Sequence, residues 1–303
     1  MRQAVEQALR LVRERRPESL GEALALLQDT VYSFSIKVCG HREDAEDTMQ
    51  DVLLKSIPHL GKFDSPKALA VWLYKVARNR CISQRRKAGN SLDRNVSLDE
   101  LLPTRFELQE LLRSPTPSAE ETLLSDEDAE QLKRAILSVP LHYRLVLVMH
   151  DMEELSTEEV AQILGLREGT VRIRLHRGRL LLRRQLESVT RPAGPAIIPV
   201  HHAGAEEQSR TPRCRQLFAA LSDYMDGMID DAMCDEMDRH LRDCEPCQAF
   251  LVSLKNAVAQ CRAYTPPCDA TRAAQLRKEL LPKYEEALAA LSTGREAAGN
   301  QLA

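Results

Sequence analysis

The stretch LSTEEVAQILGLREGTVRIRLHRGRLLLRR, Leu155 to Arg184, constrains the architecture more than any other part of the chain. Ser156 followed by Glu159 is a capping box that opens an apolar-periodic helix. Val160, Ile163 and Leu164 fall on its inner face, and Gly165 can end it in the left-handed conformation. A second helix is expected from about Gly169–Thr170. Val171, Leu175, Gly178 and Leu182 share one of its faces, while Arg172, Ile173, His176 and Arg177 point the other way and Arg174 and Arg179 flank them. Such a pair predicts a helix-turn-helix. One side of its second helix packs on a scaffold, and the other offers guanidinium groups to base edges and phosphates.

The rest of the chain is consistent with an all-α protein. Of 303 residues 43% are hydrophobic and only 4% aromatic, a balance that disfavours β architecture. The formal charge of −3 hides strong segregation. Seven Arg and one acid lie between Arg167 and Arg184, whereas eleven acids and three Arg lie between Leu92 and Glu130. Segments 1–87 and 126–188 read as helical domains. Between them 88–125 is a polar, acidic, Pro-containing linker, and 189–212 is a second, Pro-rich one. Segment 213–260 carries a Cys/His cluster. In the tail, 261–303, an apolar stripe of Leu276, Leu280, Tyr284 and Leu288 is expected to pack on that cluster's domain. The charged N-terminus does not read as a signal peptide, and no apolar run reaches the roughly 20 residues of a membrane span. A cytoplasmic location follows, in which the eight Cys stay reduced and serve as metal ligands, redox switches or small buried hydrophobes.

Two further segments carry chemistry. DAEDTMQDVLLKSI, Asp44 to Ile57, buries Ala45, Met49, Val52, Leu53 and Ile57 at helical spacing and leaves Glu46, Asp47, Gln50 and Asp51 on its outer face. Asp47 and Asp51 are like-charged neighbours on that face, which costs an isolated helix a few tenths of a kcal/mol and points to a basic partner. Downstream, SPKALAVWLYKVARNRCISQRRK ends in Lys75, Arg78, Arg80, Arg85, Arg86 and Lys87, more cations than dipole matching needs and suited to phosphate.

In HLRDCEPC, His240 and Cys244 share a helical face, and Cys247 follows Pro246 at the start of a new helix. A closed tetrahedral zinc site needs a fourth ligand. Cys234 and Cys214 compete for it. Cys234 would lie about 120° off the ligand face of a continuous helix. Cys214 can reach across a hairpin turned near Asp226–Gly227 and is preferred.

These segments together resemble a known family. DAEDTMQDV with FDSPKALAVWLYKVARNRCISQRR resembles the second domain of bacterial extracytoplasmic-function sigma factors. AILSVPLHYRLVLVMHDMEELSTEEVAQILGL with GTVRIRLHRGR resembles the fourth domain of the same family. The resemblance implies that Asp44, Glu46, Asp47, Gln50 and Asp51 bind the β′ clamp helices of core RNA polymerase, and that the second helical domain meets the β flap. It also implies that Lys62, Lys67, Asn79, Arg80, Arg85 and Arg86 contact the downstream promoter element, and Arg167, Thr170, Arg172, Arg174, His176 and Arg177 the upstream one. One position departs from the family, Ser83, where Asp is common. CRQLFAALSDYMDGMIDDAMCDEMDRHLRDCEPC resembles the zinc-binding anti-sigma domain, which implies Cys214, His240, Cys244 and Cys247 as ligands of Zn2+. That domain normally occupies a separate chain; here a tether raises its local concentration to roughly millimolar, so an intramolecular contact with the sigma domains is expected.

The function expected is therefore promoter selection, with no enzymatic chemistry and with regulation in cis. The alternative is a metal- or thiol-responsive sensor in which Cys234, Cys261 and Cys268 join the cluster in a labile site. A zinc hydrolase is disfavoured, because four protein ligands leave no open position and no His-Glu-x-x-His motif is present.

Overall fold

The computed structural model describes residues 2–14, 17–60, 62–87, 95–113, 126–190, 212–266, 271–283 and 286. Nearly all of them are helical, and no strand occurs among the described residues. The chain forms two compact units. The first comprises 1–91, 162–165 and 265–303; the second comprises 92–161 and 166–264.

The first unit is built from α1 (Arg2–Arg13), α2 (Pro17–Cys39), α3 (Arg42–Leu60) and α4 (Pro66–Lys87). Leu24, Leu27, Val31, Phe34 and Val38 recur at helical spacing along α2 and are all buried. Met49, Val52 and Leu53 of α3 and Leu69, Leu73 and Ala77 of α4 complete the core, and Phe34 meets Tyr74 edge to face with ring centroids 4.9 Å apart. Trp72 and Val76 of α4 are only half-buried. Between α2 and α3 the chain turns at Gly40, whose φ of 85° a side chain would resist. Cys39 and Cys81 are joined as a disulfide, against the expectation of reduced thiols throughout, because the end of α2 and the middle of α4 bring their Cα atoms to 5.8 Å.

A tail helix, 271–283, belongs to this first unit. It buries Leu276 and Leu280, and Gln28 donates to the carbonyl of Ala273 at 3.1 Å. The tail thus packs within the first unit, not on the Cys/His module as expected. The reason is local: Gln28, Tyr32 and Met49 line one small pocket with Leu276, and a Cβ added at Gly21 would lie 3.9 Å from Leu281 Cδ1. Tyr284 and Leu288 lie outside the described residues.

The second unit starts where a linker was expected. Its α5 (Leu98–Leu101) and α6 (Arg105–Arg113) each open with a capping box, Ser97 with Glu100 and Thr104 with Glu107. These boxes satisfy the first free amides, which is why a polar, acidic segment forms helix at all. Next come α7 (Asp126–Ser138) and α8 (Leu141–Leu147), which continues into a π-helical turn, Val148–Met152. The helix-turn-helix follows as α9 (Thr157–Leu164), whose last residues, 162–164, fall in the first unit, and α10 (Glu168–Thr190). Its predicted box is present, with the Glu159 amide donating to Ser156 Oγ at 3.2 Å and the Ser156 amide to Glu159 Oε2 at 2.8 Å. Gly165 has φ 66°. Three helices end the unit: α11 (Pro212–Met225), α12 (Asp231–Asp243) and α13 (Glu245–Ala263). The second expected linker falls largely outside the described residues.

Val171, Leu175 and Leu182 form the buried face of α10, as predicted. Gly178 on that face lets α8 approach closely, for a Cβ there would lie 3.3 Å from the carbonyl oxygen of Tyr143. That oxygen belongs to a buried backbone and cannot yield. Gly178→Val should therefore destabilise the chain by about 1–3 kcal/mol through overpacking. Gly169, whose Cβ would meet nothing within 4 Å, should respond oppositely, with Gly169→Ala adding roughly 0.5–1 kcal/mol. Denaturant titrations of the two variants check the pair; equal shifts would contradict the packing described.

Candidate DNA-reading face and metal cluster

Helix α10 is covered on both sides. One side packs on α7 and α8, and the other meets α11 and α13 of the C-terminal module. The consequence falls on residues expected to face DNA. His176 is buried and shares a hydrogen bond of 2.9 Å between Nδ1 and Ser222 Oγ, while its Nε2 has no partner. Burial, with Arg179 and Arg177 nearby, pushes its pKa down to about 4, so the ring is neutral at pH 7. Arg179 has no exposed side-chain surface. It holds Asp151 through Nε at 2.8 Å and Nη2 at 2.6 Å, and Asp226 through Nη1 and Nη2 at 2.9 Å each. Asp151 sits on the π-helical turn; burial acts to raise its pKa, but Arg179 and His150 overcome this and hold it at about 2. Arg183 donates to Ser253 Oγ at 2.6 Å and lies 3.9 Å over the Phe250 ring.

The start of α10 is more open. Arg167 is exposed, and Thr170, Arg172, Arg174 and Arg177 are half-buried. Ile173 is 55% exposed and offers an apolar contact beside these cations. Arg172 reaches Glu168 at 3.9 Å. It also lies near Asp223 of the module, whose carboxyl burial pushes up and Arg172 partly restores. The arginine face thus meets Asp223 and Asp226, which stand where a phosphate-bearing ligand would compete.

The module is organised around four side chains. Cys214 lies on α11, His240 on the last turn of α12, Cys244 between α12 and α13, and Cys247 in the first turn of α13. Their ligand atoms all lie within 4.8 Å of one another. Cys214 Sγ stands 3.6 Å from His240 Nε2, and Cys247 Sγ 3.3 Å from it. A hairpin turn at Gly227, φ 65°, brings α11 back along α12, and Tyr224 donates to Asp238 at 2.7 Å across it. Burial first, then the neighbouring Cys244 and Cys214, push the Cys247 thiol up. Three thiols and an imidazole brought this close can share one cation, and a soft dication suits this donor set. The four residues brought together are the four the sequence selects. Cys234 is not among them, Cys261 is buried on the last turn of α13, and Cys268 lies outside the described residues.

In the first unit, Asp47 is exposed and Asp44, Gln50 and Asp51 are half-buried on α3. Glu46 departs from the expected outer face: it is buried, held by Arg42 at 2.8 Å and by Arg272 of the tail helix at 3.0 Å. Burial acts to raise its pKa, and the two guanidinium groups bring it below the ordinary carboxylate range. Asp51 pairs with Arg80 at 2.9 Å, joining a candidate polymerase residue to a candidate DNA residue. Lys62, Lys67, Asn79 and Arg86 are exposed, and Arg85 is half-buried. No helix among the described residues is long and apolar enough to cross a membrane. Sequence reasoning missed Asp151, Ser222, Asp226 and Ser253, all of which engage α10 from elements distant in sequence. Of these, Asp226 had a signal, since it stands before the turn glycine in Tyr-x-Asp-Gly.

Comparison with known proteins agrees with this layout. Residues 24–91 match the family model for sigma-70 region 2, residues 129–182 that for sigma-70 region 4, and residues 214–248 a putative zinc-finger. The ECF RNA polymerase sigma factor SigW of Bacillus subtilis is 27% identical over 191 residues, 62% of this chain and 100% of that protein. The ECF sigma factor SigE of Mycolicibacterium smegmatis is 29% identical over 155 residues, 51% of this chain and 56% of its own length. The sigma factor RpoE of Bartonella quintana, solved with the anti-sigma factor NepR, aligns with TM-score 0.40 and 24% identity over 54% of this chain and 94% of that one. Both sigma regions occur here in order, followed on the same polypeptide by the cluster-bearing match: the chain carries sigma-70 regions 2 and 4, has extracytoplasmic-function sigma factors as its relatives, and bears a zinc-finger-type anti-sigma-like domain at its C-terminal side.

Proposed function

We propose that this sigma factor is restrained in cis by its own C-terminal module, which occupies the DNA-reading helix until it is displaced. The observation that carries the reading is Arg179, a recognition-helix cation with no exposed side-chain surface that is clamped by Asp226 of the module. In the released state Arg167, Thr170, Arg172, Arg174, His176 and Arg177 would face the upstream promoter element. Lys62, Lys67, Asn79, Arg80, Arg85 and Arg86 would serve the downstream one. Asp44, Glu46, Asp47, Gln50 and Asp51 would bind the β′ clamp helices of core RNA polymerase. The tail helix adds a second restraint within the first unit, because Arg272 already holds Glu46. The protein itself catalyses nothing in this reading and acts in the cytoplasm, where its polymerase is.

The module's ion would be Zn2+, held by Cys214, His240, Cys244 and Cys247. Zinc favours a tetrahedron of thiolates and imidazole at about 2.3 Å from sulfur and about 2.0 Å from nitrogen, which a cluster this tight can close around. With all four positions filled by protein, the ion would be structural. It would tie the start of α11 to the junction of α12 and α13.

Removing Asp226 should loosen the module without disturbing the helix-turn-helix, because Asp151 still pairs with Arg179. Affinity of full-length Asp226→Ala for mixed-sequence duplex DNA at low salt should rise on the order of tenfold, the loss of one charged hydrogen-bonded pair. Asp151→Ala should instead destabilise the second unit by about 3–5 kcal/mol, since it strips a buried guanidinium of its inner partner. Unchanged DNA affinity in Asp226→Ala would defeat the occlusion reading.

Chelation provides an independent check. Because metal binding and folding are coupled in such modules, stripping the ion from the full chain should lower its helical circular dichroism and raise DNA affinity together. An unaltered spectrum after verified metal loss would count against a structural ion.

A further inference from the structure

Helix α13 has two occupants. Leu180 of α10 lies in one apolar cluster with Phe250, Leu251 and Leu254 of α13, and the same cluster takes in Leu101 of α5 and Leu111 of α6. Val96, Leu98, Leu102 and Leu108 pack against it as well. Two polar ties fasten the segment: Arg184 of α10 donates to the carbonyl of Glu100 at 2.8 Å, and the amide of Val96 donates to Tyr143 Oη at 3.1 Å. By contrast Leu112, the next residue along α6, is 42% exposed.

We propose that the apolar face of α13 is a docking surface for an amphipathic helix, that α6 is its occupant in cis, and that α6 thereby latches the module onto α10. The inference rests on the occlusion reading and adds to it which segment holds the module shut. Short length and a shared apolar cluster couple these helices. Helix α6 has nine residues, and α5 four. Helices this short are marginal alone even when well capped, so α6 stays helical because α13 is there to receive it, while α5 leans on α10. Conversely, α13 loses part of its buried apolar surface if α6 leaves, and the same cluster reaches Leu180. Coupling of this kind is reciprocal: whatever draws α6 away weakens the grip on α10, and freeing α10 weakens the grip on α6. The segment between the two sigma regions is then a handle on the DNA-reading helix that never needs to touch DNA.

The test uses the full-length chain, labelled mixed-sequence duplex DNA at low salt, and amide hydrogen exchange read by mass spectrometry. Leu111→Asp places a charge in the shared cluster. It should raise DNA affinity by roughly tenfold, since a buried unpaired charge is strongly disfavoured, and should speed exchange in α6, α11 and α13 together. Leu112→Asp adds the same charge at the neighbouring exposed position and should leave both readouts at their wild-type values. Leu108→Ala is a gentler change that decides the matter if Leu111→Asp loses its helical signal, and it should give a smaller rise in affinity. Free exchange in α6 with DNA affinity unchanged in Leu111→Asp and Leu108→Ala overturns the latch. So does an equal rise in Leu112→Asp. If Asp226→Ala raises affinity while the α6 variants do not, the latch falls and occlusion stands; if none of them does, both fall.

Discussion

A guanidinium group without exposed surface, gripped by two carboxylates, is the interaction around which the second unit is arranged. Arg179 lies on the helix that defines the DNA-reading motif, Asp151 on the π-helical turn that precedes that motif, and Asp226 on the turn between the module's first two helices. Burying an arginine is costly unless its donors are met; here four donations go to the two carboxylates and a fifth, from Nη1, reaches the carbonyl of Ser222 at 3.4 Å. The order of strength matters. Asp151 is itself wholly buried and held ionised at about 2, so its bond to Arg179 belongs to the motif's own scaffold. Asp226 retains some exposure and comes from outside that scaffold. Arg179 can therefore exchange its outer partner without becoming an orphan charge.

The polar contacts near it share one character. Ser222 meets His176, Ser253 meets Arg183, and Phe250 lies under the Arg183 guanidinium. Small hydroxyls and one aromatic face, not a continuous hydrophobic seal, cover the cationic side of α10. The apolar contribution comes from further along the helix, at Leu180 and Leu181, where α5, α6 and α13 converge. The first unit shows a related economy, with Arg272 of the tail joining Arg42 on Glu46 above a small apolar contact at Leu276 and Leu280.

Much of this was legible in the sequence, for reasons that particular residues make plain. Ser156, Glu159 and Gly165 fixed the helix-turn-helix because capping and left-handed termination are local effects. Cys214, His240, Cys244 and Cys247 could be selected because helical periodicity and ligand chemistry leave few alternatives. The helices α5 and α6 were missed although Ser97–Glu100 and Thr104–Glu107 carry the same capping signal as Ser156–Glu159. Their acidic composition outweighed it, and it is packing, of α6 on α13 and of α5 on α10, that makes so short a pair stable. The burial of His176 and Arg179 was beyond local reasoning. Periodicity says that these residues turn away from one core; it is silent about a second core supplied more than 40 residues downstream. The tail was misplaced for a similar reason, since an apolar stripe declares that it will be covered but not by what.

In the proposed reading, the module's presence on the same polypeptide sets how the restraint scales. A separate inhibitor is governed by stoichiometry, and any excess of one partner shifts the balance. Here the contact between α10 and α11–α13 is unimolecular, so the held fraction is a property of the fold and does not vary with how much protein the cell makes. Doubling expression doubles the held and the free populations alike. Control must act on the equilibrium constant itself, through ions, ligands or partners that favour one conformation, and a single inherited substitution at the contact would reset the output at every expression level.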